Sequence, residues 1–358
     1  MTTPSMFFRL TTDKRRIPLT LEHQFQSAIS PACWLIGAGP SLNQVDWNLV
    51  HNTPIPRMAI NLAGHQLTQP HFWTAYDPTQ RFHQSTYLNA SILKFVHARR
   101  ANDLIPQTTL KVCDAPNIAF FESERTRGYH NFLDPLSRKL IDWNDSFVQA
   151  IDLLYRLGFR RIFCLGCELF IPPTGNSIKG HIPRLKDHAP QDEADVKQKL
   201  QQYHFEETKP LKATINTDEH YFRIVQALRL SRSNMSAAGL QLISATTCSR
   251  LNDFFPVQSV SEIRHRICQE IGNPTQEQTL GRYTKTESRS APIKGQMVDF
   301  QPPSWAKKPA PHKQSREKTS SQQTTPFADQ AAFSTPSPHL VKRLNQLKKS
   351  TCSLNEHA

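Results

Sequence analysis

Cys33-Trp-Leu-Ile-Gly-Ala-Gly-Pro-Ser-Leu-Asn43 decides the fold. An apolar run stops abruptly at Gly37-Ala38-Gly39. Pro40 and Ser41 follow, two residues that suit a helix start. The pattern is that of a buried strand, a tight glycine turn and a helix N-terminus. N–H groups at such a turn lack helical partners and the helix dipole adds positive potential, so the place suits a phosphate. Gly39 would let the backbone approach a ligand closely. Leu42 stands where the third glycine of the dinucleotide fingerprint belongs, which favours a nucleotide-type phosphate over NAD or FAD. The plainer reading of the same residues is an ordinary strand-to-helix turn.

Outward from this turn, residues 28–272 alternate strand and helix signals. Candidate strands are Cys33–Ile36, Met58–Ile60, Phe72–Tyr76, Ile92–Val96, Ile118–Phe121, Arg161–Leu165 and Leu240–Ser244. They are short, apolar and mostly without strict alternation, as strands covered on both faces are. The clearest helix is Asp145–Leu157, with Phe147, Ile151 and Leu154 on one face, Asn144 or Asp145 as cap and Gly158 as stop. A second helix is expected over Asp218–Ala238. Short strand–helix–strand connections imply an α/β fold, a Rossmann-like, doubly wound and mostly parallel sheet.

Ligands of such sheets bind beyond the carboxyl ends of the strands. That rule selects Gly37, Gly39, Pro40 and Ser41 after the first strand and Asn61 after Met58–Ile60. It also selects Asp77 after Phe72–Tyr76, Gly166 and Glu168 after Arg161–Leu165, and Thr246 after Leu240–Ser244. Each has a simpler reading: Asn61 as a helix cap, Asp77-Pro78 as a turn, Glu168 as half of an ion pair. Together they predict one common ligand rim.

The charge of +13 is uneven. Residues 276–358 hold 13 Lys and Arg against 6 Asp and Glu, so about half the excess lies in the last quarter of the chain. The same stretch has 8 prolines and a long Ser/Thr/Gln run, too polar to offset its ordering entropy. Residues 273–358 are therefore expected to be a disordered basic tail, with 1–27 an N-terminal extension of the body. Leu340, Leu344 and Leu347 fall at helical spacing beside Lys342, Arg343, Lys348 and Lys349, a pattern for an acidic partner or a membrane surface. The simpler alternative is a solvated tail. Its charge permits salt-dependent nucleic-acid binding, but no motif and little aromatic interleaving point there.

No run of eighteen apolar residues and no signal-peptide pattern occurs. With seven scattered cysteines, an odd count, this predicts reduced thiols and a cytoplasmic protein. Cys164-x-x-Cys167 lacks a second cysteine pair, and strand alternation is expected to part the two thiols, leaving them buried and inert. His181, His188 and His204 sit in or beside a long excursion, 172–212, of the kind that forms active-site lids. They are candidates for a catalytic base by location only.

Gly37-Ala-Gly-Pro-Ser-Leu-Asn43, then Ala59-Ile-Asn61, then Trp73-Thr-Ala-Tyr-Asp-Pro78 resemble a superfamily with two branches. One holds bacterial sialyltransferases and motility accessory factors that use CMP-activated nonulosonic acids. The other holds archaeal hydroxymethyldihydropterin pyrophosphokinases, which use ATP. Asn144 to Glu168 and Gly239 to Leu251 resemble later segments of the group. Tyr203-His-Phe-Glu206 resembles a stretch of its uncharacterised bacterial and phage members. The resemblance implies that Gly37, Gly39 and Ser41 hold nucleotide phosphate. It implies that Asn61 and Asn144 contact phosphate or sugar, and that Ser146 faces the donor. In the kinase-like branch Asp77 and Glu168 would hold magnesium beside ATP. In the sialyltransferase branch a histidine would act as base and no metal is needed. Glu168 and Ser244 depart from the group's usual Asp and Asn. A nucleotide-dependent transferase, glycosyltransferase-like with a nucleotide-sugar such as a CMP-sugar, is the first expectation. A pyrophosphokinase-like enzyme and a non-catalytic nucleotide- or polyanion-binding protein are the alternatives.

Overall fold

The computed structural model describes residues 5–11, 13, 15–64, 67–171, 184, 200–202 and 208–272. The chain divides into two units, Met1–Asp299 and Phe300–Ala358, and every described residue belongs to the first. The strands are β1 (Phe7–Leu10), β2 (Arg16–Leu19), β3 (Ala32–Ile36), β4 (Arg57–Ile60), β5 (Phe72–Thr74), β6 (Leu93–His97) and β7 (Ile118–Phe121). After them come β8 (Ser123–Glu124), β9 (Leu140–Ile141), β10 (Arg161–Leu165), β11 (Leu200–Gln202), β12 (Thr208–Pro210) and β13 (Gln241–Ser244). Nine make one sheet in the order β13-β10-β3-β4-β5-β6-β7-β1-β2, while β8–β9 and β11–β12 form two small pairs.

All seven strands expected from the sequence lie in the large sheet. From β13 through β7 they run parallel. β3 shows why they lack alternation: all five of its residues are buried, because both faces of the sheet are covered. Successive strands β4 to β7 build to one side of β3, and β10 and β13 to the other. The order therefore reverses between β3 and β10, which is where an open α/β sheet leaves a crevice.

The N-terminal extension joins this sheet. β1 pairs antiparallel with β7, and β2 pairs with β1 as the sheet edge. Pro18 in β2 fits that place, since an edge strand tolerates a missing N–H. Phe7 meets Phe95 edge to face at 5.5 Å, so the hairpin is part of the core.

The helices are α1 (Trp47–His51), α2 (Gln84–Leu88), α3 (Ser146–Leu157), α4 (Leu211–Leu230), α5 (Arg232–Ala237) and α6 (Val260–Ile271). The glycine turn opens a short 3-10 turn, Pro40–Gln44, and not the long helix its composition suggests. α3 matches expectation at both ends. The Asp145 carboxylate accepts the N–H groups of Phe147 and Val148. Gly158 stops the helix at φ 107°, where a Cβ would strike the backbone of Gln26. Every residue of α3 is buried, not only the Phe147–Ile151–Leu154 face. On its outer side Asp152 is fully buried between Arg127 and Arg156, at 3.0 Å from each, and accepts the Ile141 N–H. The expected helix over Asp218–Ala238 is two helices, α4 and α5, broken at Ser231. α4 begins at Leu211, inside the stretch read as a loop. Among the described residues no helix is long and apolar enough to cross a membrane.

Candidate active site

The carboxyl ends of β3 and β10 meet at the reversal point. Gly37 donates its N–H to the Leu165 carbonyl at 2.8 Å, and Gly39 to the Gly166 carbonyl at 2.9 Å. A Cβ on Gly37 would collide with the Gly166 carbonyl, and one on Gly166 (φ 65°) with Leu42. Two strand-end turns thus pack backbone on backbone.

Glu168 completes this contact. Its Oε1 accepts the Ser41 N–H at 2.7 Å, and its carboxylate lies where a Cβ on Gly39 would be. An acidic side chain of the chain itself holds the amide that the sequence suggests for a phosphate. Glu168 is 6% exposed, and its Oε2 has no hydrogen-bond partner. Burial pushes its carboxyl above the ordinary range, and the neighbouring Ser41 hydroxyl and N–H oppose the shift.

A cavity of about 60 Å³ lies against this contact, lined by Gly37–Pro40, Ile60, Asn61, Asp145–Phe147, Gly166–Phe170 and Tyr221. Asn61, in the left-handed region at φ 52°, accepts the Ser146 hydroxyl proton at 2.7 Å. Ser146 in turn accepts the Tyr76 N–H at 2.9 Å. Asp145 has two roles: Oδ1 caps α3, and Oδ2 lies 3.2 Å from Nε2 of His220 on α4. That leaves Nδ1 of a neutral His220 as acceptor once Nε2–H is given to Asp145. The cavity wall therefore carries Asp145 beside a serine and an asparagine, and His220 stands behind Asp145, next to the lining residue Tyr221.

A basic rim stands beyond β5, β6 and β7. The Tyr76 hydroxyl donates to Asn144 Oδ1 at 2.7 Å. Arg125 Nη2 donates to the same oxygen at 3.1 Å and to the Tyr76 hydroxyl at 3.3 Å. The Arg99 guanidinium covers the Tyr76 ring at 4.7 Å. Arg125 is 66% exposed, and its carboxylate neighbour among the described residues, Asp142, is 3.4 Å away. Nε and Nη2 are engaged, and the exposed face of the guanidinium can still meet an anion from solvent.

The residues selected from the sequence thus divide. Gly37, Gly39, Pro40, Asn61, Ser146, Gly166 and Glu168 line one cavity, and Ser41 is joined to it through Glu168. Asn144 belongs to the rim. Thr246 is 1% exposed; its hydroxyl donates to the Cys164 carbonyl and accepts the Cys167 N–H, so it ties β10 to the end of β13. Asp77 is outside the cavity lining and pairs with Arg81 at 2.6 Å. Asp77 and Glu168 do not fit a magnesium ion: one carries an arginine and the other is buried with its charge disfavoured. Among the described residues no cluster of three potential metal ligands occurs. His181, His188 and His204 lie outside the described residues, as does the tail after 272.

Cys164 and Cys167 depart from expectation. Gly166 takes the chain out of the strand at φ 65°, so alternation no longer separates the thiols. The two interact directly within one core cluster, and burial, then Cys167, push the Cys164 thiol well up. Both are free and buried, which leaves them unreactive.

The residues that sequence reading missed are His220, Arg99 and Arg125. Arg99-Arg100 follows the expected strand Ile92–Val96 closely, and the carboxyl-end rule applied to cations would have found it. His220 had no local signal, because helix α4 only meets Asp145 through the tertiary fold.

No protein-family profile matches the chain, and no curated protein matches it. Among solved structures it is similar to the MAf glycosyltransferase from Magnetospirillum magneticum AMB-1, at a TM-score of 0.33 and 11% identity. The match covers 80% of this chain and 42% of that one, so this chain spans less than half its length.

Proposed function

We propose that this chain is a nucleotide-dependent transferase, glycosyltransferase-like, that takes a nucleotide-sugar such as a CMP-sugar and a hydroxyl acceptor. The observation that carries this reading is the Asp145–His220 pair at the reversal point of the sheet, beside an arginine rim. The donor's phosphate lies on Arg99, Arg125 and Asn144, and its sugar points toward Asn61 and Ser146. The acceptor hydroxyl gives its proton to His220 Nδ1 as its oxygen bonds to the anomeric carbon. The bond from that carbon to the phosphate oxygen breaks, and the nucleotide leaves with the electron pair. Arg125 balances the charge that develops on the leaving phosphate. Asp145 orients the imidazole and stabilises its protonated form. The glycine turn and the Asn144–Glu168 segment resemble both branches of the superfamily, and Asn61 with the long histidine-bearing stretch 172–212 suits the CMP-using one. The pyrophosphokinase alternative is less favoured, because Asp77 and Glu168 do not form its metal site.

At about 60 Å³ the cavity holds water and no sugar, so donor binding must widen it. A thermal-shift series on the full chain with CMP, UDP, AMP and ATP tests the reading, since a ligand of the native state raises the melting temperature. The expected result is a rise with a pyrimidine nucleotide that Arg125→Ala reduces, as a tenfold weaker affinity requires. His220→Ala should keep that rise and lose transfer from the matching nucleotide-sugar. Folded protein that responds to no nucleotide would overturn the proposal.

A further inference from the structure

A second cavity, of about 400 Å³, lies along β13, the edge strand next to β10. β13 is the terminal strand, with β10 on one side only. Gln241 and Ala245 send their N–H groups to Arg160 and Cys164 carbonyls of the β10 side. Alternation therefore turns Leu242 and Ser244 outward. Ser244 is served from that side, by the Pro256 carbonyl and the Gln258 N–H. Beside Leu242 no strand follows among the described residues. The cavity opens there, over a floor of Met235, Leu240, Leu242 and Phe255, each at most 8% exposed.

Its polar wall is short of partners. Arg266 Nε and Nη2, from α6, and Gln258 Oε1 are buried with no hydrogen-bond partner among the described residues. Native folds leave few such atoms, and each costs about 1–3 kcal/mol when nothing serves it. The Arg266 guanidinium is held over the Phe163 ring at 5.5 Å, so its fork has a fixed plane. Glu270, one turn along α6, is bound to both terminal nitrogens of Arg161 and feels the charge of Arg266 without a hydrogen bond to it. Arg232, at 6.0 Å over the Phe255 ring, adds a second guanidinium to the wall. Among the described residues no carboxylate lines the cavity.

We propose that this groove binds an extended acidic peptide segment of a partner protein, laid along the β13 edge. A carboxylate of the segment meets the Arg266 fork in the planar, two-bond arrangement that guanidinium favours. Backbone N–H groups of the segment serve Gln258 Oε1 and the outward carbonyl of Leu242, as in strand addition to an open edge. Its apolar side chains rest on Met235 and Phe255. A simple anion would satisfy Arg266 and leave Gln258 and the edge unserved. The chain's own residues 276–358 carry a net charge of +7 and so do not complement two arginines.

Selection of a random ten-residue peptide library on the full chain, with Arg266→Met as counter-target, tests this. The expected outcome is enrichment of β-prone sequences with Asp or Glu at one fixed position. A synthetic peptide of that sequence should bind at least tenfold better than its Asn or Gln counterpart, and equally less well to Arg266→Met. Gln258→Glu should also weaken it, through repulsion, and melting curves of both variants check that they fold. Hydrogen exchange should show the Leu242 amide protected by the peptide. Failure to enrich acidic sequences, equal binding of the neutral peptide, or an unprotected Leu242 would each overturn the proposal. Competition by glutarate at the concentration of the peptide would also overturn it, in favour of a small-anion site.

Discussion

The glycine turn and the arginine rim lie at carboxyl ends of the same sheet, yet they are built in opposite ways. At the turn, the backbone donors of Gly37, Gly39 and Ser41 are paired within the chain. Gly39 is bonded to Gly166, Ser41 to Glu168, and the carboxylate covers the space that glycine opens. At the rim, Arg125 is mostly in solvent, with bonds of 3.1–3.4 Å to Asn144, Tyr76 and Asp142, and Arg99 rests on Tyr76. The turn resembles a phosphate site in sequence and a packing joint in structure. The rim has no motif and has the free charge. A glycine turn marks a place where backbone comes close to something, and here that something is the chain itself.

Substitutions should separate the two regions, and the largest effect belongs to the turn. Gly39→Val places a side chain on the Glu168 carboxylate, and overpacking of this kind costs about 3 kcal/mol or more. The expected fall in melting temperature is about 6–12 °C, with no nucleotide present. Adding Glu168→Ala should return much of it, because the clash is pairwise. A Gly39→Val protein of unchanged stability would break the packing account.

Next in size is the rim. Arg125→Ala should weaken nucleotide binding by about tenfold, equivalent to about 1.4 kcal/mol, and leave stability within about 0.5 kcal/mol. Titration calorimetry and a melting curve on one preparation check both. Glu168→Ala sharpens the contrast, since it clears the Ser41 amide. Phosphate at the rim predicts nucleotide affinity unchanged within about twofold; phosphate at the turn predicts about a tenfold gain from the freed donor.

The smallest effect is on pH dependence. Glu168 has a raised folded pKa, so above its ordinary value of 4.5 the folded state holds the proton more firmly than the unfolded state. Its contribution to stability is full below that value and is lost as pH rises through the folded pKa. Urea melts of Glu168→Gln should lack this decline. Identical pH profiles for variant and parent would show that burial does not act on the carboxyl.

The resemblance to a transferase superfamily and the strand-end rule led to the cavity, because both rest on local patterns: apolar runs, glycines and caps. They did not lead to its use. Thr246 reads like a site residue and is a tie between strands. Asp77 reads like a metal ligand and meets Arg81 one turn away. His220 reads like any residue of a polar helix and meets Asp145, 75 positions earlier in the chain.

The sequence alone determined the seven parallel strands, the extent and caps of α3, and the gathering of several strand-end residues at one cavity. Those follow from burial on two faces and from hydrogen bonding within a few residues. Only the tertiary structure decided that Glu168 covers Gly39, that His220 joins Asp145, that Arg99 and Arg125 share Tyr76, and that β13 is left with an open edge. Each of these is a contact between segments far apart in the chain, and such contacts have no period, spacing or composition to announce them.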